Sequence, residues 1–286
     1  MTRRRIAIAA AVLLFALALH AQIKATPQAR QQLAKTLQEY RDKKDLHGEA
    51  LTLLQLGVAD TGLGNVESAQ NNFLEAAKKM RTQDDFIGEW MALTSVSQIE
   101  VALGRASAAV PHLERALVVI NDAKTSTAPF KMDTFTALSS LGGVSVQLPL
   151  GVNESTLAMM KPFLIQYSLE PATHDLYGGV LTQVGQFEKA ETELKAAATA
   201  SSLTQGMYDF SVESHFGDLR FRQQRYDEAR ANYVKALNAP SVAAMSPAAD
   251  QQIKASIYDR LARLETVTGH PEEAKRWAEK ARELRK

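Results

Sequence analysis

Four small residues recur at one fixed spacing in five places along this chain, and few folds accept such a spacing. A small residue is followed by Gly or Gln seven positions later, by Ala five further on, and by a second Ala seven after that. The sets are Gly57, Gly64, Ala69, Ala76; Ser97, Gly104, Ala109, Ala116; Gly178, Gly185, Ala190, Ala197; Gly217, Gln224, Ala229, Ala236; and Ala262, Gly269, Ala274, Ala281. Only Gln224 departs from the small type. The anchors Gly64, Gly104, Gly185, Gln224 and Gly269 advance by 40, 81, 39 and 45 positions. The step of 81 is close to two units, so a degenerate repeat is expected between Gly104 and Gly185. Self-similarity at this period marks stacked helical hairpins, in which each unit packs only on its neighbours.

The spacing has a physical reading. The first small residue sits near the middle of one helix, the Gly or Gln in the turn after it, and the two Ala on one stripe of a second helix. Two helices approach closely only where side chains are small, so the first small residue is expected to face the first Ala across the hairpin. Leu53, Leu56 and Phe73, then Leu93, Val96 and Leu113, fill the space beside them. Tyr177 and Leu194, Phe216 and Tyr233, and Tyr258 and Leu261 do so later. Glu67, Glu188, Asp227, Glu228, Glu272 and Glu273 place acids at second-helix starts, where the helix dipole favours them. Pro271 suits a first turn.

Leu56-Gly57, Gly64, Ala69, Phe73 and Ala76 resemble the tetratricopeptide repeat signature almost whole, and Gly217, Tyr226, Ala229, Tyr233 and Ala236 nearly so. The usual unit of that family is about 34 residues. Here it runs near 40, similar to the longer variant of maltose-regulator-type bacterial proteins and kinesin light chains. Asp45-Leu-His-Gly48-Glu49 recurs forty positions later as Asp85-Phe-Ile-Gly88-Glu89. The resemblance implies an all-α, right-handed superhelical solenoid of antiparallel helix hairpins, about six units with one degenerate. The expected repeats are 46–80, 86–122, a degenerate 131–168, 171–201, 207–238 and 251–286, behind an N-terminal capping helix over 27–44. A solenoid also reconciles one domain over 22–286 with a chain longer than a single core normally supports.

The chain opens with Arg3-Arg4-Arg5, an apolar run from Ile6 to Leu19, and His20-Ala21-Gln22. A basic start, a short apolar core and a small residue before a polar one read as a secretory signal over 1–21, with cleavage after Ala21 or, as second choice, Ala18. The run falls short of the roughly 20 residues that span a bilayer, so membrane contact would come only through an uncleaved signal. The expected location is periplasmic or secreted, in a bacterial envelope. With no cysteine in the chain, disulfides and a lipid-bearing cysteine are excluded. Removing the three Arg shifts Lys plus Arg from 33 to 30 against 32 acids, a balance of −2. That leaves no basic excess for nucleic acid.

Between Ala123 and Pro171 the pattern blurs. A first helix is expected over Met132–Gln147 and a second from Glu154 to Tyr167, kinked by Pro162. Met159, Met160, Phe163, Leu164, Ile165 and Tyr167 make it apolar on more than one side. This stretch is either a decayed repeat filling a gap or a specialised unit that bends the stack or docks a partner. On the six His, no paired spacing forms a zinc site, and Glu213, His215 and Asp218 do not share one helical face. No Gly-x-Ser-x-Gly elbow or phosphate loop is present. No catalytic, metal or cofactor residue is therefore assigned.

In the resembled family, first helices line an inner groove that holds peptides. Carried onto this chain, the candidate groove residues are Leu51, Leu54, Gln55, Val58, Thr94, Gln98, Asp175, Thr182, His215, Asp218, Arg222, Asp259 and Arg263. Its N-terminal half is apolar to neutral and its C-terminal half charged. The reading is a non-catalytic exported scaffold for a protein or peptide partner. A self-associating homo-oligomeric assembly module is the alternative, and a hydrolase on a helical array a distant one.

Overall fold

The computed structural model describes residues 26–128, 131, 134, 154–203, 209–239 and 247–285. The expected signal over 1–21 and, apart from Thr134, the expected helix Met132–Gln147 lie outside them. Among the described residues the secondary structure is helical, without a strand. The chain forms two compact units, Met1–Leu169 and Glu170–Lys286.

In the first unit, α1 spans Pro27–Lys43, α2 Leu46–Gly62, α3 Val66–Arg81, α4 Phe86–Ala102 and α5 Ala106–Thr125. Helix α6, Glu154–Leu164, runs directly into a π turn at Ile165–Leu169. Pro162 lies just before this turn. It lacks a backbone donor, and the wider turn is one way a helix absorbs the break. Helices α2 and α3 pair as one hairpin, α4 and α5 as the next, and α1 packs on α2. Leu53, Leu56, Phe73, Met80, Trp90, Leu93 and Val96 share one core with Leu164, Ile165 and Leu169.

In the second unit, α7 spans Glu170–Gln183, α8 Phe187–Leu203, α9 Asp209–Arg222, α10 Tyr226–Asn238, α11 Pro247–Val267 and α12 Pro271–Glu283. They pair as α7 with α8, α9 with α10 and α11 with α12. Tyr233, Ile257, Leu261 and Leu264 are buried together, with Tyr258 and Trp277 packed against them.

The five anchors all sit in one kind of turn. Gly64, Gly104, Gly185 and Gly269 have φ of +77°, +73°, +82° and +81°, and Gln224 has +62°. Only glycine enters this left-handed region without steric penalty, so Gln224 is the strained member. In each turn the next residue donates its N–H to the carbonyl five before it, Asn65 to Asp60 and Arg225 to Arg220 at 2.8 Å, for example. This is the bond that closes a helix behind a left-handed residue.

At Gly178 a Cβ would lie 3.3 Å from the carbonyl oxygen of Ala190, the expected first Ala, but the nearest neighbours of the central small residues are larger side chains. A Cβ on Gly57 would come within 2.6 Å of the Phe73 ring, on Gly178 within 2.6 Å of Leu194, and on Gly217 within 2.4 Å of Tyr233. The small residue therefore faces the large side chain four positions after the first Ala. A bulky group fills the gap between two helix axes only if its counterpart lacks a side chain.

Candidate partner-binding face

Two rules of local structure place the polar groups. An Asp just before a helix caps it through its side chain: Asp45 accepts from the N–H groups of His47 and Gly48, and Asp85 from that of Gly88. Four residues on, Glu49 and Glu89 are buried and must be paired. Arg41 Nε reaches Glu49 at 2.9 Å and Lys79 Nζ at 2.9 Å; Arg81 and Arg115 reach Glu89 at 2.7 and 2.8 Å. Burial works against the Glu49 charge, but Arg41 and Lys79 outweigh it and hold the carboxyl below its ordinary value.

The residue directly after the first Ala of a second helix reaches forward to the end of the next first helix. Arg30, next to Ala29, meets Asp60 at 2.5 Å; Gln70, next to Ala69, donates to Glu100. Glu191, next to Ala190, meets Arg220 at 3.0 Å; Arg230, next to Ala229, meets Glu265 at 2.6 Å. Glu191 is pushed down to about 2 by its bonds to Arg220 and Lys195. These ties were not read from the sequence. Their signal was available as a polar residue beside the first Ala, some thirty positions before a polar residue four short of the next anchor.

On the first helices of the second unit a row of side chains links three hairpins. His215 Nδ1 on α9 lies 2.7 Å from Asp175 Oδ1 on α7, and Ser211 Oγ donates to the other carboxylate oxygen at 2.5 Å. A Cβ on Gly179 would come within 3.0 Å of the imidazole, so the ring lies close against the α7 backbone. Asp218 accepts from the Tyr233 hydroxyl at 2.8 Å and from Arg260 Nε on α11 at 3.1 Å. Arg260 also donates to Ser256 Oγ at 2.7 Å. Burial raises the Tyr233 hydroxyl above its ordinary value, and Asp218 adds to this. Asp175 engages both Ser211 and His215, so the serine hydroxyl is aimed at the carboxylate. A nucleophile–base pair needs it aimed at the imidazole. The trio joins helices.

Burial lowers the affinity of His215 for a proton, but Asp175 and, less strongly, Asp218 outweigh burial and the opposing Arg260 charge. Its value lies above the ordinary 6.5. A raised folded value stabilises fully below the unfolded value and is lost as pH rises through the folded one. The difference in melting temperature between wild type and His215→Gln is therefore expected to be larger at about pH 5.5 than at about pH 8.5. An equal difference at both would remove the ionic role. Thermal melts in matched salt read it.

No protein-family model matches the sequence, and no curated protein matches it. Among solved structures, the crystal structure of BtubC (BKLC) from P. vanneervenii aligns over 90% of this chain and 89% of its own, at 15% identity and a TM-score of 0.53. The fold is that of a tetratricopeptide-type helical repeat. The crystal structure of the APC/C hetero-tetramer Cut9-Hcn1 aligns over 95% of this chain and 46% of that one, at 13% identity and a TM-score of 0.38. At that score it adds nothing to the fold assignment.

Within these tetratricopeptide-type hairpins the thirteen groove candidates fall into three groups. Leu54, Val58, Thr94 and Thr182 are buried, which corrects their placement on an open groove. Leu54 and Val58 belong to the first unit's core. The hydroxyls of Thr94 and Thr182 bond carbonyls of their own helices, Trp90 and Gly178. First helices here are covered on several sides, so fewer of their positions stay open than a one-sided helix would leave. Asp175 is also buried and, with His215 and Asp218, is engaged in the polar row. Leu51 and Gln55 are half-buried, and Gln98, Arg222, Asp259 and Arg263 are exposed. Asp259 pairs with Arg285, and the Arg263 guanidinium lies 4.8 Å from the centre of the Phe221 ring. Among the described residues, Arg222 and Arg263 have no carboxylate partner.

Proposed function

We propose that this chain is an exported, non-catalytic scaffold that holds a protein or peptide partner, without a cofactor, on the face lined by its first helices. One observation carries the reading. On that face of the second unit the carboxylates Asp175, Asp218 and Asp259 are already engaged by His215, Arg260 and Arg285. Arg222 and Arg263 stay exposed, without a carboxylate partner among the described residues, and Arg263 is held over Phe221. A partner bearing acidic groups fits this surplus. On the first unit Leu51 and Gln55 are half-buried and Gln98 is exposed, and all three are uncharged. Export rests on the Arg3-Arg4-Arg5 start and the apolar run behind it. The fold supports a role in protein interaction, since repeats of this kind present extended binding surfaces.

An Arg222→Glu/Arg263→Glu variant should keep wild-type circular dichroism, because both side chains are exposed. It should also lose the proteins that wild type captures from an envelope extract. Capture of the same proteins by both forms would sink the assignment of this face.

A further inference from the structure

Three exposed donors meet at Phe221, near the end of α9. The Arg263 guanidinium of α11 lies 4.8 Å from the centre of its ring, and the Tyr226 ring meets it edge-on with centroids 5.7 Å apart. The Phe221 carbonyl accepts the Gln224 N–H at 3.0 Å. Arg222 is the next residue of the chain. Arg222, Gln224 and Arg263 are therefore gathered round one ring, and all three are exposed. Among the described residues, none of these side chains meets a hydrogen-bond acceptor. The neighbouring amide is occupied, since Gln223 Oε1 accepts from Arg220 at 2.8 Å and from Arg225 at 3.4 Å.

Two observations set this cluster apart. The first is strain. Gln224 holds φ of +62° at the repeat position that glycine fills in the other four turns. Glycine adopts that conformation at little cost, and the exposed Gln224 side chain makes no bond to a described residue that would offset the strain. Lys44 and Asp84 also have positive φ, but in the connections between hairpins, where the repeat sets no glycine. Strained non-glycine backbone collects where a side chain is needed for binding. The second observation is arginine pairing. Of the six arginines from Asp209 to Val267, Arg220, Arg225, Arg230 and Arg260 each donate to both oxygens of one carboxylate. Arg222 and Arg263 are the two left over. A guanidinium lying over an aromatic ring keeps its N–H donors for a further acceptor, and its planar fork loses little freedom on binding one.

The geometry points to a carboxylate-binding site at the end of α9, where Arg222 and Arg263 hold acidic side chains of a peptide and Gln224 donates its amide to the same segment. This rests on the partner face proposed above and adds a ligand chemistry and a third residue. A planar carboxylate matches guanidinium and amide donors, and it is the acceptor that the other four arginines of this stretch already take. The Gln224 side chain serves the ligand and not the turn.

The probe is a fluorescein-labelled octapeptide of alternating Glu and Ala, titrated with the full chain at low ionic strength, where screening is weakest. Saturable anisotropy is expected. Replacing Glu by Gln in the peptide should weaken binding at least about tenfold. Arg222→Gln and Arg263→Gln should each weaken it about fivefold or more. Gln224→Gly should weaken it about threefold or more while raising the urea midpoint, because the turn relaxes. A residue with only a structural role would not move affinity and stability in opposite directions. Lys235→Gln, an equal loss of charge on α10, should leave binding unchanged. No saturation, unchanged binding by Gln224→Gly, or equal weakening by Lys235→Gln would overturn the inference. So would tighter binding of a peptide with phosphoserine in place of Glu, which would make this a phosphate site. The scaffold reading fails separately: peptide binding as expected, with the same envelope proteins captured by wild type and Arg222→Glu/Arg263→Glu, would remove that reading and leave the carboxylate site standing.

Discussion

An Asp60→Ala chain is expected to lose about 3 kcal/mol of stability, a large fraction of what holds a domain together. Asp60 is fully buried and collects bonds from four side chains. Arg30 reaches it at 2.5 Å, Ser68 at 2.7 Å, and Asn65 and Asn72 at 3.0 Å. Alanine removes the acceptor and leaves four donors with nothing of equal strength to face, and breaking a buried pair from one side is the costly direction. Arg30 is partly exposed and can turn to water, which keeps the loss below the upper end for buried pairs. Asp60→Asn keeps one acceptor oxygen and should lose less. Burial opposes the Asp60 charge, yet Arg30, Asn65 and Ser68 hold its value below the ordinary 3.8. Its contribution is therefore full above that value and disappears as acid titrates the folded carboxyl. Urea melts followed by circular dichroism measure the loss, and hydrogen exchange should show α1, α2 and α3 opening first. A loss under about 1 kcal/mol, the level of a surface pair, would mean that Asp60 is not the link between these helices.

The hairpins were legible in the sequence because their requirements are local and repeated. A left-handed turn wants Gly, and close helices want Gly or Ala, so Gly64 and Ala69 declare themselves without knowledge of any partner. Gln224 shows the limit of that reading, since its φ matches the glycines although its side chain does not. What escaped was pairing at a distance. Nothing local joins Arg30 to Asp60 or Glu191 to Arg220, and the charge order is reversed between those two ties. A search for one conserved sign would therefore have missed them. The candidate face was legible only in part, for a related reason. Periodicity says which side of a first helix is turned toward its own second helix, but not how many other neighbours cover it. Leu54, Val58, Thr94 and Thr182 were lost to that coverage. Arg222 and Arg263 stayed exposed.

Gly217→Val is expected to be at least as damaging as the loss of Asp60, at about 3 kcal/mol or more. A glycine inside a helix is normally a liability of roughly 1 kcal/mol relative to alanine, so propensity alone predicts a gain from any side chain. Space decides the other way. A Cβ at this position would lie 2.4 Å from Tyr233 Cε1 and 2.5 Å from Cδ1. The ring cannot step aside easily, because it is buried and its hydroxyl is held by Asp218. Valine adds two further methyl groups against the same ring, so α9 and α10 must separate. Gly217→Ala should lose about 1 kcal/mol, as overpacking exceeds the propensity gain. If the ring is the cause, trimming it must rescue the variant. Tyr233→Leu alone is destabilising, but in the Gly217→Ala background it should lose less than the sum of the two single changes. Leu194 against Gly178 shows that a hairpin of this chain accepts leucine at that place. A double-mutant cycle by urea denaturation reads the coupling, and strictly additive losses would show that Gly217 is required for some reason other than the approach of α9 to α10.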